Sequence, residues 1–405
     1  MSANFYLSSH ANQHLHPRAA LVTARLEDYR LANEQELGWI EIWSASAMQK
    51  ICKRLGLRQQ VLATAIVFFR RFYLRNSYCE TDPALVAAAC CYVAAKAEET
   101  PVHVKSAVGE AKVVFNDMGL HGFTSENHRL AEMEFYLLEE LDFHLIVFHP
   151  YRALVQLCGR DGGAATGGDE GKASRAGMLE MDDTALQMAW FIINDTFRSS
   201  LCLVHPPHLI AVAAVYLAFA LHPPASASSQ ILASPTTPDD PASKPSRTAS
   251  GSVSSRTRRQ STDAATPSSS STAAGPSSST SGGVVGPGGH TDPITFLASL
   301  QVDTSLVLEI VQEIVSLYEL WAQLEAGPSS SGNGSSAGPA AAAMGVGSSS
   351  TSSRSNAATA TGRAQGPDER VVAILRRMQE QRMRDIRDER TKLAQASQAA
   401  SRRAG

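Results

Sequence analysis

The chain has 405 residues, with 36 Lys and Arg against 39 Asp and Glu and a formal net charge of −3. This length accommodates two or three domains, and the near-neutral charge disfavours a protein that holds nucleic acid mainly through bulk positive charge. No uncharged apolar run approaches the roughly 20 residues that cross a bilayer, and residues 1–20 lack the apolar core of a signal peptide. The 6 cysteines include no Cys-x-x-Cys pair. These features predict a soluble, intracellular protein with reduced thiols.

Shifts in composition divide the chain into ordered and low-complexity parts. Stretches rich in Ser, Gly and Pro cannot bury enough apolar surface to offset the entropy lost on ordering, so we expect them to be disordered. The predicted segments are an N-terminal segment with a helix (1–33), a first helical domain (34–147), a second helical domain (148–324) interrupted by a disordered insertion (223–292), a low-complexity linker (325–366) and a charged, helical tail (367–405).

The ordered parts have the periodicity of helices and almost no strand signals, which predicts an all-α fold. One clear helix follows Asp303, a plausible N-cap, with apolar residues at helical spacing from Val307 to Trp321. Another is predicted over residues 58–75. In the tail, Val371, Leu375, Met378 and Ile386 lie near one helical face among many charged residues. This pattern is compatible with a partner-binding helix or with a solvated single helix.

An internal repeat indicates duplication. Residues 83–94 (PALVAAACCYVA) are echoed by residues 207–218 (PHLIAVAAVYLA), with Pro at the start, Ala at shared positions and Tyr at the same step. Proline suits the first turn of a helix, and alanine lets neighbouring helices approach closely. We therefore predict two similar all-helical domains, each with one such helix at its centre. Lys96 ends the first copy, whereas Ala220 stands at the equivalent position of the second.

The sequence contains no convincing catalytic or metal-binding motif. There is no His-Glu-x-x-His, no Gly-x-Ser-x-Gly and no paired Cys and His spacing for zinc, so we expect no enzymatic activity and no cofactor. A basic cluster of Lys50, Lys53, Arg54 and Arg58, followed by Arg70, Arg71 and Arg75, is compatible with either a nucleic-acid face or a solvated rim.

Several segments resemble the cyclin family. Residues 94–99 (AAKAEE) and 133–143 (MEFYLLEELDF) are similar to the end of the third helix and to the fifth helix of a cyclin box. Further motifs resemble the cyclin C type, the cyclins of the Mediator kinase module: NF at 4–5, SSH at 8–10, LRQQV at 57–61, RFY at 71–73, IVFHPYR at 146–152, NDT at 194–196, LCL at 201–203 and LQVD at 300–303. The resemblance covers roughly residues 3–222 and 293–324.

The resemblance implies two tandem five-helix cyclin boxes and a non-catalytic subunit that activates a Mediator-associated cyclin-dependent kinase in the nucleus. Other subunits of the Mediator kinase module are implied partners, whereas direct contact with nucleic acid or membrane is not expected. Carried over by position, Lys96 and Glu134 would make polar contacts to the kinase, and Leu138, Phe143 and Leu145 would supply apolar contacts. Glu134 and Leu138 are spaced i, i+4 and therefore share a helix face.

Departures from the family pattern leave alternatives open. The helix near residues 44–55 lacks the Met-Arg-Ala-Ile-Leu patch of cell-cycle cyclins, and Ala97 replaces an aromatic residue that many cyclins place against the kinase. The chain could be the cyclin of another transcriptional kinase. It could also be a general transcription factor with two cyclin repeats that binds promoter DNA. Such a factor would carry an N-terminal zinc ribbon and basic repeats, but residues 1–51 contain no Cys. A helical scaffold is a further possibility.

Overall fold

The computed structural model describes residues 4–158, 178–179, 181–222, 293–326 and 366–404, with only the backbone described for 293, 294 and 397–404. Within these ranges the chain is helical and has no β-strand, which confirms the predicted all-α class. None of the helices in this described part is long and apolar enough to span a membrane. The predicted insertion at 223–292 and nearly all of the predicted linker at 325–366 lie outside the described residues.

A first bundle of helices corresponds to the first cyclin box. A short N-terminal segment precedes it, with a 3₁₀ turn at Phe5–Leu7 and the helices α1 (Ser9–Gln13), α2 (Arg18–Ala24) and α3 (Leu26–Tyr29). The bundle itself consists of α4 (Glu34–Arg54), α5 (Gln59–Phe72), α6 (Pro83–Ala97), α7 (Val104–Asp117) and α8 (Asn127–Glu140). Helix α6 packs against the other four helices, so it lies at the centre as the repeat predicted.

Local sequence explains why the central helix begins at Pro83. The Asp82 carboxylate caps the first turn by accepting from the backbone N–H groups of Ala84 and Leu85 at 3.1 and 3.5 Å. Proline at the first helical position needs no hydrogen-bond acceptor. Almost every Ala, Val and Cys side chain of α6 is buried, and small side chains permit close packing on all sides.

The second bundle repeats this arrangement. In chain order its helices are α9 (Pro150–Leu157), α10 (Asp183–Thr196), the short α11 (Leu201–Val204), α12 (Pro207–Leu221), α13 (Pro293–Ser299) and α14 (Thr304–Ala326). The central α12 contacts α9, α10, α13 and α14. Helix α14 follows the predicted cap, since Asp303 Oδ1 accepts from the backbone N–H of Ser305 at 2.9 Å. Apart from the four-residue α11, the described part of the second bundle has five helices, so the prediction of two tandem five-helix boxes is confirmed.

Buried basic side chains join the two boxes. From the second box, Arg198 donates to Ser46 Oγ at 2.7 Å and to Gln49 Oε1 at 2.8 Å, both on α4. From the first box, Arg70 donates to the backbone carbonyl of Arg198 at 2.5 Å and pairs with Glu41 at 2.5 Å. A buried charge is costly unless it is paired or hydrogen-bonded. These contacts therefore favour the arrangement of the two boxes in which both arginines have their partners.

The tail helix, α15 (Pro367–Ala404), packs on the first box rather than standing alone in solvent. Three of the four apolar residues identified from the sequence, Val371, Leu375 and Met378, are buried there, and Ile386 is half-buried. The hypothesis of a solvated single helix is therefore wrong for the first half of the tail. Within the side chains that the structure describes, it agrees with 387–396, which are exposed. Sequence periodicity identified the apolar face but not the surface that covers it.

Candidate functional site

The candidate site lies where the C-terminal end of α6 meets α8. Lys96 occupies the last turn of α6, and its ammonium nitrogen lies 2.6 Å from Glu134 Oε1 on α8. The same nitrogen lies 4.3 Å from the centre of the Tyr92 ring, so the ammonium also faces the electron-rich side of an aromatic residue. Burial alone would lower the pKa of Lys96, but the hydrogen bonds with Glu134 and Tyr92 raise it. The lysine is therefore fully charged and held in one position.

The predicted apolar residues follow Glu134 along the chain, on α8 and just after it. Leu138 lies one turn beyond Glu134 on α8 and is half-buried, as is Leu145 in the segment after the helix. Phe143 lies in the turn between them and exposes 69% of its surface to solvent. An apolar ring that remains this exposed contributes little to the core of its own chain.

Backbone geometry holds Phe143 outward. Both Asp142 and Phe143 have positive φ values, 49° and 58°, a region in which a side chain other than glycine is strained. Arg75 compensates for part of this cost, because its guanidinium group donates to both carboxylate oxygens of Asp142, at 3.1 and 2.5 Å. The N–H of Phe143 also donates to the carbonyl of Leu138 at 3.0 Å. The turn is thus fixed before any partner arrives.

Sequence reasoning missed three exposed apolar residues beside this site. Phe135, Tyr136 and Ile146 expose 72%, 64% and 64% of their surfaces. Phe135 and Tyr136 directly follow Glu134, so the family motif contained them, but helical periodicity alone gave no reason to place them outside the core. Tyr136 also borders a cavity of about 290 Å³ that lies between α5, α6 and α8. Exposed apolar residues on and after α8 are therefore not limited to Phe143, the one predicted apolar residue that is largely exposed.

The fold divides the basic cluster that was compatible with a nucleic-acid face, and Lys53 and Arg58 remain exposed. Arg70 and Arg71 are buried, and burial lowers the pKa of Arg71 to about 10. Arg75 forms an ion pair with Asp142, and Arg54 forms one with Glu110 of α7. No group of three or more His, Cys, Asp or Glu in the described part of the chain is arranged to hold a metal ion.

Comparison with known proteins agrees with this architecture. The family described as "Cyclin, N-terminal domain" matches residues 41–146. A relative from Mycosarcoma maydis, described as an RNA polymerase II holoenzyme cyclin-like subunit, is 36% identical over 391 residues, which covers 80% of this chain and 91% of the relative. The chain belongs to the cyclin family.

Within the family the chain is similar to cyclin C. It is 37% identical to Cyclin-C of Drosophila melanogaster over 223 residues, which covers 54% of this chain and 77% of that protein. It is 35% identical to Cyclin-C1-2 of Arabidopsis thaliana over 219 residues, covering 54% of this chain and 78% of that protein. The expected relationship to this type of cyclin is confirmed.

Proposed function

We propose that this cyclin is the regulatory subunit of a cyclin-dependent kinase of the RNA polymerase II transcription machinery, and specifically of the Mediator-associated kinase. The relative from Mycosarcoma maydis is named as a subunit of the RNA polymerase II holoenzyme, and the other relatives are named cyclin C. The proposal includes a nuclear location, other subunits of the Mediator kinase module as partners, and no catalytic activity of the chain itself.

The observations that carry this proposal are the Lys96–Glu134 pair and the exposed ring of Phe143, which lies in the turn that follows α8. In the proposed complex the C-helix of the kinase lies against α6 and α8. Lys96 then donates to kinase backbone carbonyls and Glu134 accepts from kinase N–H groups, while Leu138, Phe143 and Leu145 cover the apolar side of that helix. Charge-assisted hydrogen bonds of this kind are worth about 1.5–3 kcal/mol each.

Docking at this face would favour the active kinase. A C-helix held inward keeps its glutamate beside the lysine that binds the ATP phosphates, an arrangement on which kinase activity depends. The cyclin needs no chemistry of its own for this effect, since it only has to bind the inward position of the C-helix more tightly than the outward one.

The test is affinity purification of the tagged full chain, compared with Lys96→Ala/Glu134→Ala and with Phe143→Ala. We expect the double variant to copurify with at least about tenfold less kinase than the wild-type chain, as measured by mass spectrometry. Phosphorylation of a polymerase tail peptide by the purified material should decrease in parallel. Arg54→Ala/Glu110→Ala is a matched control, because it also removes an ion pair that joins two helices of the first box. It should leave kinase binding unchanged.

Three other results would contradict parts of the proposal. Unchanged kinase binding by the double variant would remove the assigned site but retain the kinase partner. Recovery of a different transcriptional kinase would change the partner. Binding of promoter DNA without any kinase would favour a general transcription factor instead.

A further inference from the structure

The tail helix covers a second surface of the first box, separate from α6 and α8. This surface, here called the α4 groove, is formed by α4, the loop at Glu80 and Thr81, and the end of α7 at Gly119. Among residues 367–396 of the tail helix, whose side chains the structure describes, the buried ones lie within about two turns: Val371, Val372, Ile374, Leu375 and Met378. The apolar contact is therefore short compared with the whole helix.

Ion pairs along the groove fix the direction and register of the helix. Asp368 pairs with Lys50 near the end of α4 at 3.2 Å, and Arg377 pairs with Glu36 near its start at 2.9 Å. Arg382 pairs with Glu80 at 2.5 Å. The groove is thus basic at one end and acidic at the other, and it matches a helix with an acidic first turn and with arginines at the end of the apolar stripe and beyond it.

Two features favour reversible dissociation of the tail helix from the α4 groove. All three ion pairs are partly exposed, so salt screens them. Arg370 donates to the backbone carbonyl of Leu324, close to where α14 ends, so the chain leaves the second box and returns almost to the same place. The residues between, 327–365, lie outside the described part. Because residues 327–366 separate α14 from α15 in the sequence, release of α15 need not unfold either box. A segment joined within the same chain has an effective concentration of about millimolar at its site.

We propose that the α4 groove is a helix-docking site, which the chain's own tail occupies in competition with an amphipathic helix of a partner protein. The partner helix has the same character as the tail helix. Its first turn is acidic, its apolar residues have the spacing of Val371, Val372, Ile374, Leu375 and Met378, and arginines follow them. Release of the tail opens this second interaction surface while the face at Lys96 and Glu134 is unaffected. The inference does not depend on which kinase binds there.

A peptide of residues 366–386, fluorescently labelled, tests the proposal on the full chain. In the variant Val371→Asp/Met378→Asp the resident helix loses its apolar stripe, and we expect the peptide to bind the vacated groove. Wild-type chain should bind the same peptide at least about tenfold more weakly, because its tethered tail competes at millimolar effective concentration. A peptide with the same two substitutions should not bind. Met383→Asp/Leu393→Asp is the matched control, since both side chains are exposed on the same helix, and it should behave as wild type.

Equal binding to the wild-type chain and the stripe variant would overturn the proposal, and so would no binding to a stripe variant that circular dichroism shows to be folded. A second variant, which changes a partly exposed charge and no apolar residue, tests the proposal if the stripe variant does not fold. Arg382→Glu should accelerate amide hydrogen exchange over residues 371–382, and Glu80→Arg in the same chain should restore slow exchange by reversing the pair. Unchanged exchange in Arg382→Glu would show that the helix is not held in this way.

Discussion

At the scale of single residues, the meeting point of the N-terminal segment and the two boxes concentrates several histidines around the buried Arg71. His10 Nδ1 accepts from the backbone N–H of Phe148 at 3.0 Å, and His14 Nε2 lies 3.2 Å from His144 Nδ1. Burial, followed by the charge of Arg71, lowers the pKa of His10, His14 and His149 to about 3. These histidines are therefore neutral in the folded chain.

This arrangement predicts that the free energy of unfolding decreases as the pH is lowered through a defined range. Unfolded histidines bind protons near their ordinary pKa of 6.5, whereas the folded ones resist protonation until about pH 3. Acid therefore favours the unfolded state, and the stabilisation present above pH 6.5 is lost progressively down to about pH 3. Urea midpoints measured between pH 7.5 and 4.5 should decrease steadily. The slope should be smaller in His10→Gln/His14→Gln, and an identical slope in that variant would contradict the assignment.

At the scale of helices, the duplicated central helix is the element most sensitive to side-chain volume. Ala89 of α6 and Ala213 of α12 are wholly buried and occupy equivalent positions in the two copies. Each is surrounded by the other helices of its own box, so there is no free space for a larger side chain.

Enlarging either alanine should therefore destabilise the chain by a similar amount. We expect Ala89→Leu and Ala213→Leu each to lower the free energy of unfolding by about 1–3 kcal/mol, the usual cost of overpacking a core. Denaturant titration measures this directly. Ala97→Leu is the control, since Ala97 is half-buried at the end of α6 and should change stability little. A loss confined to one of the two buried positions would argue against equivalent packing of the copies.

At the scale of the whole molecule, the two boxes share buried polar contacts. Arg198 reaches Ser46 and Gln49 across the junction, and its guanidinium group lies 4.1 Å from the centre of the Trp321 ring. The Arg70–Glu41 pair inside the first box also reaches backbone carbonyls of the second. Separating the boxes would leave these buried groups without their partners, so each box stabilises the other.

We therefore predict that the two boxes unfold together. Trp39 and Trp43 report on the first box and Trp190 and Trp321 on the second, so Trp→Phe pairs that leave only one set should give coincident fluorescence midpoints. Arg198→Ala should lower the free energy of unfolding by about 2 kcal/mol, through the loss of charged hydrogen bonds. Arg30→Ala, which removes an exposed ion pair with Glu27, should have almost no effect. Separate midpoints in the wild-type chain would contradict the coupling.

Features that depend on neighbours in sequence could be predicted from the sequence alone. The helical class follows from periodicity, the cap at Asp303 from a side chain that reaches only two residues ahead, and the duplicated core helix from its repeated small residues. The family motifs also identified Lys96 and Glu134, which the fold brings to 2.6 Å from each other. Whether the predicted set binds a kinase remains a prediction.

Tertiary structure determined which of the residues that the sequence grouped together are buried and which contacts each of them makes. Arg70, Arg71 and Arg75 are close in sequence, yet the first two are buried and the third holds the turn that exposes Phe143. The apolar stripe of the tail was visible in the sequence, but its docking on α4 was not. The residues that attract it, Glu36, Lys50 and Glu80, lie some 300 residues away along the chain. Local patterns report which side of a helix avoids water, whereas long-range packing and charge complementarity determine what covers that side.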